Sequence, residues 1–452
     1  MNKTYDVIIT GAGPSGMAAA LSAARNGASV LLIEKNGYPG GMNTAAMVCP
    51  LMTFHSGETQ IIKGIAQEIV DRLAERGATL GHIPDPIGMV STITPIDPVI
   101  LKLVYFEMLA KEPNITTLFH TFLTGATATS GKVASITVVN KSGAATYQGR
   151  CFIDATGDAD LAYLCKAEFT QGRSKDGMSQ PMSLMFKMGG VELDKIAEYV
   201  RANPEQFILS PACDLSKYLA VSGFFREVVK AKENGDLTVP RDRVLFFQGI
   251  RPDEIIVNMT RVTCLSGVNA KDLTQAEFEA HRQVDEIIRF FNKYLPGFEH
   301  AYIQNIADVT GVRESRRIIG RATLVAEDIL ENRSHETSVA MCAFPIDIHD
   351  PVGNELNWIR KERACRYDIP FEVMVPKHFS NLLVAGRCIS ATHEALASAR
   401  ISPTAMALGE AAGLAAAMAA DANTAFDKLD VGQLQNRLVE QNAIPGKKWL
   451  EQ

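Results

Sequence analysis

The stretch Val7–Gly16 reads V-I-I-T-G-A-G-P-S-G, an apolar run followed at once by three glycines in the G-x-G-x-x-G spacing. The run predicts a buried strand, and the glycines predict the turn into a helix by which dinucleotides are bound. Gly11 permits the tight turn, Gly13 lets a pyrophosphate approach the backbone, and Gly16 lets helix and strand pack closely. The helix is expected over Pro14–Asn26.

A second apolar strand is expected directly after this helix. It covers Ala28–Ile33 and ends at Glu34, eighteen residues after Gly16. A carboxylate at this place accepts hydrogen bonds from both hydroxyls of an adenosine ribose, and it disfavours NADP because it would repel the 2′-phosphate. The alternative is a solvated charge at the end of a strand.

Length and charge limit the classes of protein that this chain represents. With 452 residues it is too long for one core, so two or three domains are expected. The net charge is -6 with acids and bases interspersed, which leaves no basic stripe for nucleic acid. The first strand begins close to Met1, and the apolar stretch Ala405–Ala420 is interrupted by Glu410. We expect a soluble, cytoplasmic protein with neither a membrane nor a nucleic-acid partner.

The eight cysteines are scattered, and no two of them form a C-x-x-C pair. This excludes the common local patterns for iron–sulfur clusters, zinc and thioredoxin-like redox pairs, so no metal is predicted. Cys49 and Cys388 adjoin motifs that are expected to face the ligand. Each either lines the site or is a core thiol, the core being the more common place for a cysteine.

Three later stretches have the composition expected of segments that lie against a large ligand. The first is Y-P-G-G-M-N-T at Tyr38–Thr44, and the second is C-F-I-D-A-T-G-D at Cys151–Asp158. The third combines a buried strand, N-L-L-V-A-G-R at Asn381–Arg387, with S-P-T-A-M-A-L-G-E-A-A-G at Ser402–Gly413. Its serine and proline are typical of a helix start, with the serine as N-cap.

Together these motifs resemble the FAD-dependent oxidoreductases of the glutathione-reductase-like flavoproteins, and most closely the branch that is similar to the A-type subunit of heterodisulfide reductase. The resemblance covers nearly the whole chain and includes Gly311–Gly320 and Tyr367–Pro370. It implies an α/β fold, in which a Rossmann-like three-layer FAD-binding domain carries an inserted α+β substrate domain. The FAD domain is expected over residues 1–165 and 376–425, the substrate domain over 166–375, and a peripheral C-terminal helix over 426–452.

The same resemblance implies the residues that contact FAD, from the pyrophosphate through the ribose and adenine to the flavin ring. They are Gly11, Ala12, Gly13, Pro14, Ser15, Gly16, Glu34, Lys35, Gly41, Met42, Thr44, Gly157, Asp158, Gly386, Arg387, Ser402, Pro403, Thr404 and Ala405. The helix that begins near Ser402 would point its N-terminus at the pyrimidine edge of the ring, where negative charge develops on reduction.

Two departures from related flavoproteins matter for the cofactor. Relatives that hold FAD covalently have a histidine after the glycine pair, where this chain has Met42, so noncovalent FAD is expected. The heterodisulfide reductase branch carries clustered cysteines for iron–sulfur centres, and this chain has none at that spacing. An iron–sulfur cluster is therefore not predicted.

The arginine-rich run at Arg313, Arg316 and Arg317 supplies the main candidates for substrate binding. Guanidinium groups bind carboxylates through two parallel hydrogen bonds, so the run predicts an anionic substrate. In an equally good interpretation, Arg313, Glu314 and Arg317 form a structural ion-pair network that joins the two domains.

His393 and Arg400 are candidates from the segment before the last helix. They lie seven residues apart and share a face if the segment is helical, so they could bind or protonate a substrate. His55 and His349 are further candidates for proton transfer.

The sequence thus predicts an FAD-dependent oxidoreductase that transfers a hydride between flavin N5 and a small anionic organic substrate. One alternative is an electron-transfer component of a disulfide reductase-like complex with a protein electron partner. Another is a flavoprotein whose FAD is structural or senses redox state. Because no second G-x-G-x-x-G follows a strand, we expect reducing equivalents from the substrate or a partner and not from NADH or NADPH.

Overall fold

The computed structural model describes residues 4–353, 356–359 and 365–450. Its helices are α1 Pro14–Arg25, α2 Ile65–Ala74, α3 Pro98–Ala110, α4 Asp160–Leu164, α5 Leu193–Ala202, α6 Phe225–Glu233, α7 Ala270–Tyr294, α8 Ala326–Leu330, α9 His393–Ala399, α10 Ser402–Asp421 and α11 Val431–Glu440.

The strands are β1 Thr4–Thr10, β2 Val30–Ile33, β3 Leu51–Met52, β4 His55–Ser56, β5 Thr59–Gln60, β6 Ile83–Pro84, β7 Thr92–Thr94, β8 Ile115–Leu118, β9 Phe122–Thr129, β10 Lys132–Asn140, β11 Gly143–Asp154, β12 Phe169–Gln171, β13 Phe186–Gly189, β14 Ala220–Gly223, β15 Val244–Gln248, β16 Ile255–Val257, β17 Tyr302–Ile306, β18 Arg316–Ile318, β19 Ser338–Cys342, β20 Ile346–His349, β21 Leu356–Ile359, β22 Tyr367–Pro370 and β23 Leu382–Val384.

A parallel sheet in the order β8-β2-β1-β11-β23 forms the centre of the nucleotide-binding fold. The second half of β11 pairs with β23, and its first half pairs with β10 in an antiparallel ribbon that continues to β9. The strands that the glycine motif predicted therefore lie side by side, and their carboxyl ends share one edge. The Rossmann-like fold is confirmed.

Helices α1 and α10 cross closely on one face of this sheet, although the chain separates them widely. A Cβ atom on Gly409 would overlap the Ser15 carbonyl oxygen, and one on Gly413 would overlap that of Ala19. Ser22 Oγ adds a hydrogen bond of 2.8 Å to the Glu410 carbonyl oxygen. Because both glycines lack a side chain, the backbones approach directly and the two helices behave as one packed unit.

The middle of the chain forms a five-stranded antiparallel sheet in the order β14-β15-β16-β13-β17. The long helix α7 buries Val284, Ile287 and Phe291 along one face. Its N-cap Asn269 accepts hydrogen bonds from two backbone N–H groups of the first turn. Strands and helices are thus mixed in this region, as expected for an α+β insertion.

Three helix boundaries differ from the sequence-based expectation, the first being the end of α1 at Arg25 and not at Asn26. Ile401, and not Ser402, is the N-cap of α10, so Ser402 is already helical and leaves its hydroxyl for another partner. Helix α11 covers Val431–Glu440, only part of the expected range 426–452, and it buries Leu434 and Leu438 against the rest of the chain. In the described part of the chain, no helix has both the length and the apolar character needed to span a membrane.

Candidate cofactor and substrate site

The glycine turn after β1 has the geometry that a pyrophosphate requires. Gly11 has φ +91°, and a Cβ atom there would lie against Ala155. A Cβ atom on Gly16 would overlap the Gly11 carbonyl oxygen, so this glycine permits the close contact of turn and helix. A Cβ atom on Gly13, in contrast, would have no atom within 4 Å. The open side of Gly13 leaves room for a ligand against bare backbone.

Two helix N-termini in this region have no side-chain cap. Gly13 is the N-cap of α1 and Ile401 is the N-cap of α10. Glycine has no side chain and isoleucine has an apolar one, so neither residue caps its helix with a side-chain hydrogen bond. The first N–H groups of a helix need acceptors, and the helix dipole favours negative charge there. Pyrophosphate and the reduced flavin edge are anionic groups that fit these two ends.

Glu34 is buried at the end of β2, with 5% of its surface exposed. Its carboxylate accepts the Ala12 N–H at 2.8 Å and the Asn36 N–H at 2.9 Å. These bonds hold the carboxylate directly beside the glycine turn. Lys35 is exposed next to it. The solvated-charge interpretation of Glu34 is therefore wrong, while its bonds to a ribose remain a prediction.

The segments predicted to contact the flavin ring converge from three parts of the chain. Asn43 Nδ2 donates to Ser402 Oγ at 2.9 Å, which joins the Gly41–Thr44 turn to the start of α10. Arg387 Nη1 lies 3.6 Å from Met42 Sδ. A Cβ atom on Gly386 would lie 2.7 Å from Ser15 Oγ, beside the first turn of α1. Thr404 and Ala405 lie buried in the first turn of α10.

Asp158 is a central acceptor beyond the end of β11. Arg387 donates to its carboxylate at 2.6 Å and to the Gly157 carbonyl oxygen at 2.8 Å. Ser315 Oγ donates to the same carboxylate at 2.7 Å. Gly157 and Asp158 are thus joined to Arg387, one of the residues predicted on the ring side. Their contact with the adenine half of the cofactor stays a prediction.

The arginines of the arginine-rich run contact different partners. Arg316 donates to the Asp158 carbonyl oxygen at 2.8 Å and to Asp160 at 2.9 Å, and its guanidinium covers the Tyr163 ring. Arg317 forms a buried ion pair with Glu314 and donates to the Ala391 and Gly172 carbonyl oxygens. Arg317 and Glu314 therefore form an ion pair of the kind expected in the structural interpretation, whereas Arg316, which that interpretation did not include, holds the segment of Asp158 and Asp160.

His393 belongs to the same buried network. Its Nδ1 lies 2.8 Å from Glu314 Oε2, and the exposed fraction of its side chain is 5%. Among the described residues its Nε2 has no hydrogen-bond partner. Glu314 also accepts the Gln180 N–H at 3.0 Å. The segment is helical, with α9 at His393–Ala399 and Arg400 as its C-cap, and Glu314, which contacts His393, also acts on Arg400 through its charge.

Arg313 and Arg400 belong to a cluster with two arginines that the sequence did not single out. We define the arginine cluster as Arg241, Arg261, Arg313 and Arg400 together with Asp347 and His349. Arg313 donates to the Pro181 carbonyl oxygen at 2.7 Å and to Ser183 Oγ at 2.8 Å. Arg400 Nη2 lies 3.4 Å from Asp347 Oδ2.

The charges of the arginine cluster act on one another. Burial and the charges of Arg241 and Arg400 lower the pKa of Arg313. Burial and the charge of Arg261 lower the pKa of Arg241 to about 10, so this arginine stays charged at neutral pH. Although burial opposes it, the hydrogen bond from His349 and the charges of Arg400 and Arg313 keep the pKa of Asp347 below its ordinary value.

His349 is neutral in this environment, because burial lowers its pKa to about 3. Its Nε2 lies 3.2 Å from Asp347 Oδ2, so the neutral ring donates a hydrogen bond from Nε2–H to the carboxylate. Its Nδ1 is 3.5 Å from Arg261 Nη1. The histidine thereby fixes the orientation of Asp347 and adds no positive charge.

The remaining candidates have structural partners. His55 Nδ1 lies 3.1 Å from Thr92 Oγ1, and the ring packs on His82. Burial raises the pKa of Cys49 to about 12, and Cys388 is fully buried, so both are core thiols. Among the described residues, no group of histidine, cysteine and acidic side chains could hold a metal ion.

Arg241 and Arg261 were missed because nothing near them in the sequence points to a ligand. Arg241 precedes β15 and Arg261 follows β16, so the antiparallel sheet brings them together. Their fractional exposures of 5% and 1% are the informative signal, since arginine is rarely buried without a charged partner. The burial of these two arginines is visible in the folded structure and not in the sequence.

Two curated proteins share a short segment with this chain. A 40-residue segment is 55% identical to vinyl phenol reductase of Lactiplantibacillus plantarum, and it covers 9% of this chain and 8% of that protein. A 41-residue segment is 51% identical to the A-type subunit of opine oxidase from Rhizobium meliloti, with the same coverages of 9% and 8%. The chain therefore matches less than a tenth of the length of these relatives.

Two solved structures are similar to the chain along most of its length. The p-nitrophenol 4-monooxygenase PnpA of Pseudomonas putida DLL-E4 has a TM-score of 0.48 and 11% identity, covering 98% of this chain and 87% of that one. A geranylgeranyl bacteriochlorophyll reductase-like protein of Thermoplasma acidophilum has a TM-score of 0.43 and 13% identity, covering 98% and 84%.

The family model described as FAD dependent oxidoreductase matches residues 6–438, which is nearly the whole chain. Its range includes the glycine turn, the end of β2, the Gly41–Thr44 turn and the start of α10. The open glycine turn and the two uncapped helix ends fit the cofactor that the family name states. The chain belongs to the FAD-dependent oxidoreductase family, and FAD is its cofactor.

Proposed function

We propose that this protein exchanges a hydride with a small anionic organic substrate that is bound at the arginine cluster. The observation that carries the proposal is the place of this cluster. Arg313 directly follows Val312, whose carbonyl oxygen accepts a hydrogen bond from Arg387. Arg400 lies two residues before α10 begins. Both arginines therefore lie beside segments predicted to contact the flavin ring.

The proposed cofactor contacts follow from the two uncapped helix ends and from the position of Glu34 beside the glycine turn. The first N–H groups of α1 would bind the pyrophosphate, Glu34 the adenosine ribose, and the first turn of α10 the pyrimidine edge of the ring. FAD would be held without a covalent bond, since Met42 occupies the position after the glycine pair. When bound, FAD supplies a two-electron donor or acceptor at flavin N5.

The side chains of the cluster would orient the substrate. Arg313 and Arg400 carry fork-shaped donors that match the two oxygens of a carboxylate. Asp347 holds Arg400, and His349 in turn donates to Asp347, so the arginine keeps one orientation. Burial of these groups excludes water and strengthens their electrostatic attraction for an anion. Orientation of the reacting carbon would supply much of the rate advantage.

The proposal is tested by the visible spectrum of the FAD-loaded protein under anaerobic conditions. The probes are small 2-hydroxy and 2-amino carboxylates, added singly. We expect at least one to bleach the flavin band, and Arg313→Gln to lose this bleaching while it retains FAD. Arg321→Gln serves as the matched control, because Arg321 pairs with Asp427 outside the cluster.

Each contrary result has a definite meaning. A flavin band that no carboxylate bleaches would contradict the proposal and favour a structural or sensing FAD. Rapid bleaching by NADH would contradict the prediction about the electron source. Bleaching by a reduced partner protein alone would favour the electron-transfer component suggested by the resemblance to heterodisulfide reductase.

A further inference from the structure

Helix α3 is apolar on two opposite faces. The buried positions of its inner face include Leu101, Val104, Tyr105 and Met108. On its outer face Val99, Leu103 and Phe106 are 49%, 52% and 39% exposed, and Ala110 is also exposed. We define these four outer residues as the apolar stripe. A helix that is apolar all round is normally covered on all sides, and an exposed apolar patch marks a surface for association.

The place of α3 in the fold leaves the apolar stripe accessible. The helix packs on α1 and α2 and leads into β8, which lies at the end of the strand order of the parallel sheet. The ring of Phe106 lies 5.3 Å from that of the half-buried Phe119, which extends the patch. Helix α5, in contrast, exposes only small or charged residues, among them Asp194, Lys195, Glu198 and Arg201.

The spacing within the apolar stripe is that of a helix that pairs with another helix. Its members are separated by four, three and four residues, as in the a and d positions of a two-stranded coiled coil. Val99 and Phe106 take d positions, and Leu103 and Ala110 take a positions. The buried inner face falls on positions b, c and f, so the stripe is a second and separate seam. The partner that fits it is a helix.

The charges beside the stripe favour a second copy of α3 as that helix. Lys102 takes a g position, and Glu107 takes the e position five residues later. In a parallel pair of identical helices, g and e residues with this offset face each other. Lys102 of each copy would therefore face Glu107 of the other copy, and twofold symmetry forms this pair twice. An antiparallel pair would not bring these two residues together.

Contacts within the chain leave both charges available for a further partner. Lys102 Nζ lies 3.4 Å from Asp308 Oδ2 and covers the Tyr38 ring. The carboxylate of Glu107 pairs with Arg72, Arg76 and Lys111. The side chains of Lys102 and Glu107 are still 28% and 34% exposed. An ammonium group has three donors and a carboxylate has about four acceptor sites, so each can add one bond.

We propose that two copies of this chain associate through α3, in a parallel pair about a twofold axis that runs along the helices. Leu103 of the two copies meets at the centre, with Val99 and Phe106 on either side. The helix has 13 residues and is about 20 Å long. Because one helix pair is a small interface, we expect a dissociation constant in the micromolar range.

The association is measured by analytical ultracentrifugation of the FAD-loaded protein, from low to high micromolar concentrations. The wild type should pass from monomer to dimer over this range. Leu103→Glu should weaken association by about a hundredfold, because it brings two like charges together at the centre of the interface. Since Leu103 is half exposed, this variant should retain its thermal unfolding midpoint. Val229→Glu is the matched control, at a position of α6 that is 54% exposed.

Cysteine cross-linking tests the orientation of the pair. Val99→Cys is made together with Cys264→Ser, since Cys264 is an exposed native thiol. In the parallel pair each Val99 faces its own copy, near the roughly 6 Å between Cα atoms that a disulfide requires, so oxidation by diamide should give a covalent dimer. In an antiparallel pair centred on the stripe, the two positions would lie about 16 Å apart along the helix. Val229→Cys in the same background is the control.

Three results would overturn the proposal. They are a wild type that remains monomeric at the highest concentration, a dimer that persists in Leu103→Glu, and cross-linking of Val99→Cys no stronger than that of Val229→Cys. A monomer that sediments with anionic phospholipid vesicles, while Leu103→Glu does not, would assign the stripe to a lipid surface in place of a second copy.

Discussion

Replacement of Glu410 by glutamine should change how the stability of the protein depends on pH. Glu410 lies in the middle of α10 and is 2% exposed. Its Oε2 accepts the Ile65 N–H at 3.0 Å, at the start of α2. Burial raises the pKa of this carboxyl from its ordinary value of 4.5 to about 8. At neutral pH the folded protein therefore keeps a proton that the unfolded chain releases.

The sign of the effect follows from this difference. Between the two pKa values the folded state binds more protons, so stability falls as the pH rises, by about 1.4 kcal/mol per pH unit. From pH 5 to pH 7 the loss amounts to roughly 2 to 3 kcal/mol. Glutamine does not titrate and keeps an oxygen that accepts the Ile65 N–H, so Glu410→Gln should lack this loss.

The assay is urea unfolding followed by circular dichroism at pH 5, 6 and 7, with saturating FAD. Stability of Glu410→Gln relative to the wild type should increase across this range by the amount given above. Other titrating groups, such as the buried Asp154, are common to both proteins and cancel in the comparison. Glu440→Gln, at an exposed position, should follow the wild type. Parallel curves for Glu410→Gln and the wild type would refute the reasoning.

Further variants separate cofactor binding, folding and substrate binding. Gly13→Ala should fold normally, because the added methyl group meets no protein atom, but it should weaken FAD at least tenfold as measured by flavin titration. Gly16→Ala should instead reduce the yield of folded protein, since its methyl group overlaps the turn. Glu34→Arg should lose most bound FAD on gel filtration, and unchanged occupancy would contradict the ribose assignment. Arg316→Ala should keep substrate-driven flavin reduction that Arg313→Gln loses, and equal losses would place both arginines in the substrate site.

The nucleotide-binding part of the fold was predictable because its determinants are local. The turn after β1 needs glycine for its φ value and for close approach, and both requirements act within ten residues of sequence. The start of α10 was predicted within one residue, since Ser402 and Pro403 have strong positional preferences. Signals of this kind do not depend on which distant segment packs nearby.

The substrate side could be predicted only in part, because it depends on contacts between distant segments. Arg313 and Arg316 are three residues apart, yet the chain bends between them and only Arg313 reaches the arginine cluster. Because both are arginines in one short run, the sequence alone does not indicate that they contact different parts of the structure. Arg241 and Arg261 joined the same cluster through strand pairing in the inserted sheet, which no local pattern encodes.

The pairing of β11 with β23 and the crossing of α1 with α10 have a consequence for biosynthesis. Domains generally fold as they emerge from the ribosome, and the N-terminal part emerges first. Here the first nucleotide-binding turn is made early, but the edge of β11 and the face of α1 remain uncovered until Leu382–Val384 and Ser402–Asp421 have been synthesised. A nascent chain therefore carries exposed apolar surface through the production of the whole insertion. FAD then binds only after most of the chain has been synthesised. A chain that is truncated before α10 should therefore fail to retain flavin.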